Sequence, residues 1–172
     1  MVRMKNTKNT SQVARAFTLI ELLVVISIIA ILAGMVVPMF YSAKERAREA
    51  KARIEVKALE TAFKSYLDTY KVWPAGFADG EIKDNLFKTL RGENISDMNK
   101  QQIAFYEFES TNNSIAYDPW SNPSEAYRVK FDLDYDNKID ALSDVYRCVV
   151  VYSVGTNRAD DSGDVDDVAS WK

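Results

Sequence analysis

The sequence predicts an α+β chain. One long N-terminal α-helix, with a transmembrane half and an amphipathic half, precedes a strand-bearing region and an irregular C-terminal loop. Three observations carry this expectation. The run Phe17 to Tyr41 contains 25 residues and a single charge, Glu21. Ser42 to Lys71 holds neither glycine nor proline and repeats its apolar positions at helical spacing. Beyond it, alternating and valine-rich segments are separated by turn residues, as strands are.

Length and charge narrow the function classes. At 172 residues there is room for one compact domain plus one long element. No histidine is present, which removes the commonest general base and the commonest zinc ligand. No nucleophile motif stands in its place, so the chain is not expected to be an enzyme. Met1 to Ala16 carries Arg3, Lys5, Lys8 and Arg15 without one acid, leaving 18 basic against 25 acidic residues in the rest. Ten aspartates fall between Asp132 and Asp167. Such a surface repels nucleic acid and suits cations. Cys148 is the only cysteine, so no disulfide forms within one chain, and its valine-rich surroundings predict a buried, inert thiol.

Residues 1–16 form a basic leader. As a helix, residues 17–41 span roughly 37 Å, enough for a hydrocarbon core of about 30 Å. The apolar run is longer than that of a secretory signal peptide, and its basic stretch and small residue both precede it, which predicts retention in the membrane. Residues 42–71 continue the helix to a total of roughly 80 Å. Ile54, Ala58, Ala62 and Leu59, Phe63, Leu67, with Tyr66 and Tyr70 alongside, form its expected apolar stripe. Pro38, one turn after Gly34, predicts a kink or local unwinding.

Residues 72–172 form the globular region. Trp73-Pro74-Ala75-Gly76 ends the long helix. A short helix is expected around Ile82 to Leu90, a strand at Ile103 to Phe108, and turns through Asp118-Pro119-Trp120-Ser121-Asn122-Pro123. Tyr127 to Leu133 and Val145 to Val154 read as strands, and Gly155 to Lys172 as an aspartate-rich loop.

Glu21 is the costly residue of the apolar run, since an acid at the centre of a membrane helix costs about 2.5 to 3.5 kcal/mol and less near an end. Two explanations stand. The carboxylate can snorkel to the interface. Alternatively, cleavage between Ala16 and Phe17 creates an α-amino group that pairs with the glutamate of a neighbouring subunit in low dielectric.

The segment Arg15-Ala16-Phe17-Thr18-Leu19-Ile20-Glu21-Leu22-Leu23-Val24-Val25-Ile26 resembles the class III signal and first helical turns of type IV pilins and pseudopilins. The resemblance implies cleavage by a prepilin peptidase between Ala16 and Phe17, N-methylation of Phe17, and assembly through Phe17 and Glu21. The family usually places glycine where this chain has Ala16. It also implies a pilin-like fold, with the long helix packed on a small antiparallel β-sheet. The acid-free leader is the better cytoplasmic anchor, which sends the C-terminal region to the periplasm.

A second resemblance lies further on. Asp118-Pro119-Trp120-Ser121-Asn122-Pro123, then Tyr127, is similar to a turn of the major pseudopilins of type II secretion, with Ser121 replacing the usual glycine. By itself the motif reads as a structural turn anchored by Trp120. The tail from Tyr152 to Asn157 and from Asp164 to Trp171 is similar to the calcium loop of those proteins. That likeness implies ligands at Val154 (carbonyl), Asn157 (where the family has aspartate), Asp164, Asp166 and Asp167. Packed carboxylates need a counter-ion; the plain alternative is a solvated acidic tail. Asp132, Asp134, Asp136 and Asp140 echo a calcium loop in their spacing, but Asn137 stands where glycine is needed and Ser143 where glutamate is needed.

The resemblance therefore implies a structural subunit of a type II secretion pseudopilus in the bacterial inner membrane. It would polymerise with other pseudopilins into a periplasmic fibre, assembled by an inner-membrane platform and its ATPase. The alternative is a type IV pilus subunit serving adhesion, motility or DNA uptake. Surface pilins usually end in a disulfide-closed loop, which one cysteine cannot provide.

Overall fold

The computed structural model describes residues 17–73, 77–108, 114–120, 125–163 and 165–172. The basic leader with Ala16, the expected helix stop at 74–76, the turn residues 121–124 and Asp164 lie outside the described residues. Helix α1 spans Leu19–Tyr70, β1 Gly80–Glu81, α2 Asp84–Leu90, β2 Arg128–Phe131, β3 Val149–Ser153 and β4 Val168–Ala169. The chain divides into two compact units, Met1–Ala43 and Lys44–Lys172.

In the first unit, α1 is apolar around its whole circumference and its side chains are bare. Phe17, Leu19, Ile20 and Tyr41 are each at least 70% exposed. Among the described residues α1 is the one helix long and apolar enough to cross a membrane. The Ser27 hydroxyl donates to the Leu23 carbonyl at 2.8 Å, which settles the one free hydroxyl in the middle of the apolar run. No unwinding occurs at Gly34 or Pro38, where helix is continuous. A proline removes one N–H, and the rest of the ladder holds.

In the second unit, the C-terminal half of α1 packs through Ala52, Val56, Leu59, Phe63 and Tyr66, all buried. These recur at alternating spacings of four and three, so one stripe faces the core. The expected stripe is thereby shifted: Ile54 is 70% exposed, while Leu59, Ala62, Phe63 and Tyr66 hold their expected burial. Four antiparallel strands in the order β1-β2-β3-β4 supply the other wall. Phe131 and Phe63 meet edge to face at 5.3 Å between ring centroids, joining β2 to α1. Every residue of β3 is buried, as befits a central strand.

The strand expected at Ile103 to Phe108 is absent. Its backbone is bound elsewhere: Phe105 and Tyr106 N–H donate to the Leu90 carbonyl, at 2.8 and 3.1 Å. Ile103 is held at both its N–H and its carbonyl by the Asn99 side chain. Strand β4 arises inside the expected loop, paired to Tyr152 and Ser153 of β3. It is two residues long, too short to announce itself in sequence.

Candidate functional site

The N-terminal site begins with Thr18 and Glu21. The Thr18 N–H and hydroxyl both donate to Glu21 Oε2, at 2.9 and 2.7 Å, and the Glu21 N–H donates back to Thr18 Oγ1 at 3.3 Å. This is a reciprocal capping box, in which each side chain satisfies a backbone donor that the first helical turn leaves over. The carboxylate also lies at the positive end of the helix dipole. Glu21 shares an apolar depression with Phe17, Ile20, Val24 and Val25. The polar headpiece of an otherwise greasy helix is thus a threonine and a glutamate bound to each other.

The C-terminal acidic loop runs from Val154, buried directly after β3, back to β4. Asp166 is held at its base, with Oδ2 accepting N–H bonds from Thr156 at 2.7 Å and Asn157 at 2.8 Å, and a bond from the Thr156 hydroxyl. The hydroxyl bond leads in holding the Asp166 carboxyl below its ordinary range. Asp167 is buried, only 6% exposed, and its Oδ2 accepts the Gly163 N–H at 2.8 Å. Its burial pushes that carboxyl up. Among the described residues, neither Oδ1, a buried oxygen in each, finds a hydrogen-bond partner. An unsatisfied buried carboxylate oxygen is costly, and a hard cation satisfies it.

Two glycines shape this loop. Gly155 has φ +67°, and a Cβ there would meet the Asp166 carbonyl at 2.4 Å. Gly163 has φ +87°, and its Cβ would meet the Trp171 ring at 2.1 Å. Both positions need the left-handed region and an absent side chain. Asn157 donates through Nδ2 to Asp161 Oδ2 at 2.9 Å while its own Oδ1 accepts the Ala159 N–H at 2.6 Å. The fold brings Arg53 to the loop, where it and Lys172 line a cavity of about 340 Å³ together with Asp166 and Asp167.

In the other acidic segment, carboxylate oxygens of Asp132, Asp134 and Asp136 lie within 4.8 Å of one another, and Asp140 stands outside that group. Asp132 is buried, and both its oxygens are engaged, by the Asp136 N–H at 3.2 Å and the Asn137 N–H at 2.8 Å. This loop satisfies its buried acid from its own backbone. Cys148 is half-buried, and burial pushes its thiol up, away from reactivity.

The model of the prokaryotic N-terminal methylation motif matches residues 12–37, the stretch that contains Ala16, Phe17, Thr18 and Glu21. The type II secretion system core protein G of Aeromonas hydrophila is 30% identical over 159 residues, covering 90% of each chain. The chain belongs to the type IV pilin-like family. Within that family, core protein G of Escherichia coli is 48% identical over 58 residues, 34% of this chain and 37% of that protein. The type IV major pilin protein PilA of Myxococcus xanthus is 46% identical over 52 residues. That match takes in 30% of this chain and spans about a quarter, 24%, of PilA's own length. No solved structure matches the chain.

For this pilin-like chain, two features of the sites were missed in sequence. One is the box between Thr18 and Glu21, although Thr-x-x-Glu at a helix start is its signature. The other is Asp161, which the fold brings to Asp166 and Asp167, with carboxylate oxygens of all three within 4.8 Å of one another. The four-residue spacing of Asn157 and Asp161 in a glycine-bounded loop was the available signal.

Proposed function

We propose that this chain is a structural subunit of a type II secretion pseudopilus, anchored in the bacterial inner membrane and then drawn into a periplasmic fibre that drives protein export. The observation that carries this reading is the match to core protein G, which runs along 90% of both chains and so takes in the C-terminal region as well as the shared helix. The match to PilA supports a type IV pilus subunit as the second reading, but it covers only 52 residues.

The chemistry begins at Glu21. In the precursor, Thr18 neutralises part of the carboxylate's hydrogen-bonding demand. Cleavage between Ala16 and Phe17 frees an amine beside the box, and methylation leaves it cationic. In lipid, an amine of one subunit and Glu21 of the next attract strongly because no water competes. The bare apolar side chains of residues 19–41 then exchange lipid for neighbouring helices. Partners are other pseudopilins, the prepilin peptidase, and an inner-membrane platform with its ATPase. A non-catalytic role agrees with the names of the relatives, all pilins or core proteins.

We also propose calcium at the C-terminal loop, held by Asp166 and Asp167 with the Val154 carbonyl, while the Asn157 side chain braces the start of the loop. When bound, calcium supplies a hard positive charge for up to eight oxygens. The residues fit it because two buried carboxylate oxygens have no hydrogen-bond partner among the described residues. Deleting the gene in the source bacterium tests the main reading: secreted proteins should accumulate in the periplasm, and a Glu21→Val copy should insert in the membrane without forming fibres. Intact export with loss of surface filaments would support the second reading instead.

A further inference from the structure

The aspartates at 160 and 161 are neighbours in sequence with different partners. Asp160 is tied to the sheet: Arg128 Nη1 lies 2.7 Å from Oδ2, and the Tyr152 hydroxyl donates to Oδ1 at 3.1 Å. Oδ1 also accepts the Ser162 N–H at 3.0 Å, so one carboxylate fastens the outer arm of the loop to β2 and β3. Asp161 takes no part in that anchor. Its Oδ2 accepts the Asn157 amide, and its carboxylate lies within 4.8 Å of oxygens of Asp166 and Asp167. Three carboxylates therefore converge at one point, with the innermost, Asp167, 6% exposed and holding an oxygen without a hydrogen-bond partner.

We propose that Asp161 is the third carboxylate ligand of the calcium site, that Asn157 is the positioning residue that aims it, and that Asp160 is the peg that places the loop. This rests on the calcium reading given above. Like charges brought so close repel one another, and a fold keeps such a group where a cation repays the approach. Three carboxylates suit calcium's large, irregular shell better than magnesium's strict octahedron. Gly163, at φ +87° and with the Trp171 ring where a side chain would stand, lies between Asp161 and its two partners in the chain.

Calcium titration of the full chain in detergent micelles tests the assignment, comparing the wild type with Asp161→Asn and with Asp144→Asn. The second variant makes the same charge change at an acid outside the cluster. Asp161→Asn should weaken calcium binding by about tenfold or more, since charge count sets affinity at such loops. Asp144→Asn should bind as the wild type does, and without calcium Asp161→Asn should melt no lower than the wild type, because losing one of three close charges eases their repulsion. Wild-type affinity in Asp161→Asn would overturn the assignment while leaving the calcium reading intact. Equal weakening in both variants would reduce the effect to bulk charge and also overturn it, as would a lowered melting temperature of calcium-free Asp161→Asn. No calcium binding by the wild type would sink the calcium reading itself and this ligand with it.

Discussion

Glu60 and Arg147 are 87 residues apart in sequence and joined by an ion pair of 2.8 Å. Glu60 Oε1 also accepts Lys64 Nζ at 2.7 Å, so one buried acid on α1 gathers two cations and clamps the approach to β3. Burial pushes the Glu60 carboxyl up, but the bonds from Lys64 and Arg147 outweigh it and leave the net shift downward. A carboxyl lowered in the fold stabilises above its ordinary value, and that contribution is lost as pH falls through the lowered one.

Glu60→Gln should therefore cost about 1.5 to 3 kcal/mol at neutral pH, the range for hydrogen bonds to charged groups. The gap between variant and wild type should close as pH falls below the ordinary glutamate value of 4.5. Urea unfolding at the two pH values checks this. A gap that widens in acid would contradict it.

Asn99 is fully buried and works as a node. Its amide donates to the Thr89 and Ile103 carbonyls at 3.0 and 2.8 Å, and its carbonyl accepts the Tyr70 hydroxyl at 2.7 Å and the Ile103 N–H at 3.1 Å. Replacing it by leucine keeps the branched shape, adds bulk and strands these partners. Asn99→Leu should cost about 3 kcal/mol or more, because groups left unsatisfied in a core pay their full desolvation. A loss under about 1 kcal/mol in denaturant unfolding would show that the node carries little.

Calcium binding should be visible as stability. At a hundredfold excess over Kd, a ligand adds about 2.7 kcal/mol, and a chelator should lower Tm by roughly 5 to 10 °C. The sign of its pH dependence follows from Asp167, whose carboxyl is raised by burial. A raised acid holds its proton at higher pH than usual, so protons displace the cation before the ordinary aspartate value of 3.8 is reached. The chelator's effect should shrink as pH falls toward that value. An effect that is absent, or that persists unchanged in acid, would remove the calcium reading.

The parts legible in sequence were those with a period or a motif. The run from Phe17 to Tyr41 announces itself by length, and β3 by its valines. Ile54 misled because a four-residue spacing drifts around a helix of 3.6 residues per turn, whereas 52, 56, 59, 63 and 66 stay on one face. The segment at Ile103 to Phe108 looks like a strand by composition, yet Asn99 and the Leu90 carbonyl claim its backbone, and composition cannot reveal such a competitor. At the acidic loop, Asp166 and Asp167 were named from a motif, while Asp161 enters through a glycine turn and a side-chain bond from Asn157.

The central claim is that this chain is clipped and polymerised through its new end, and mass spectrometry of protein extracted from the inner membrane tests it most directly. Residues 17–172 should appear as one species bearing a single methyl group on the Phe17 amine. A population that still carries Met1 to Ala16, with no species beginning at Phe17, would contradict it.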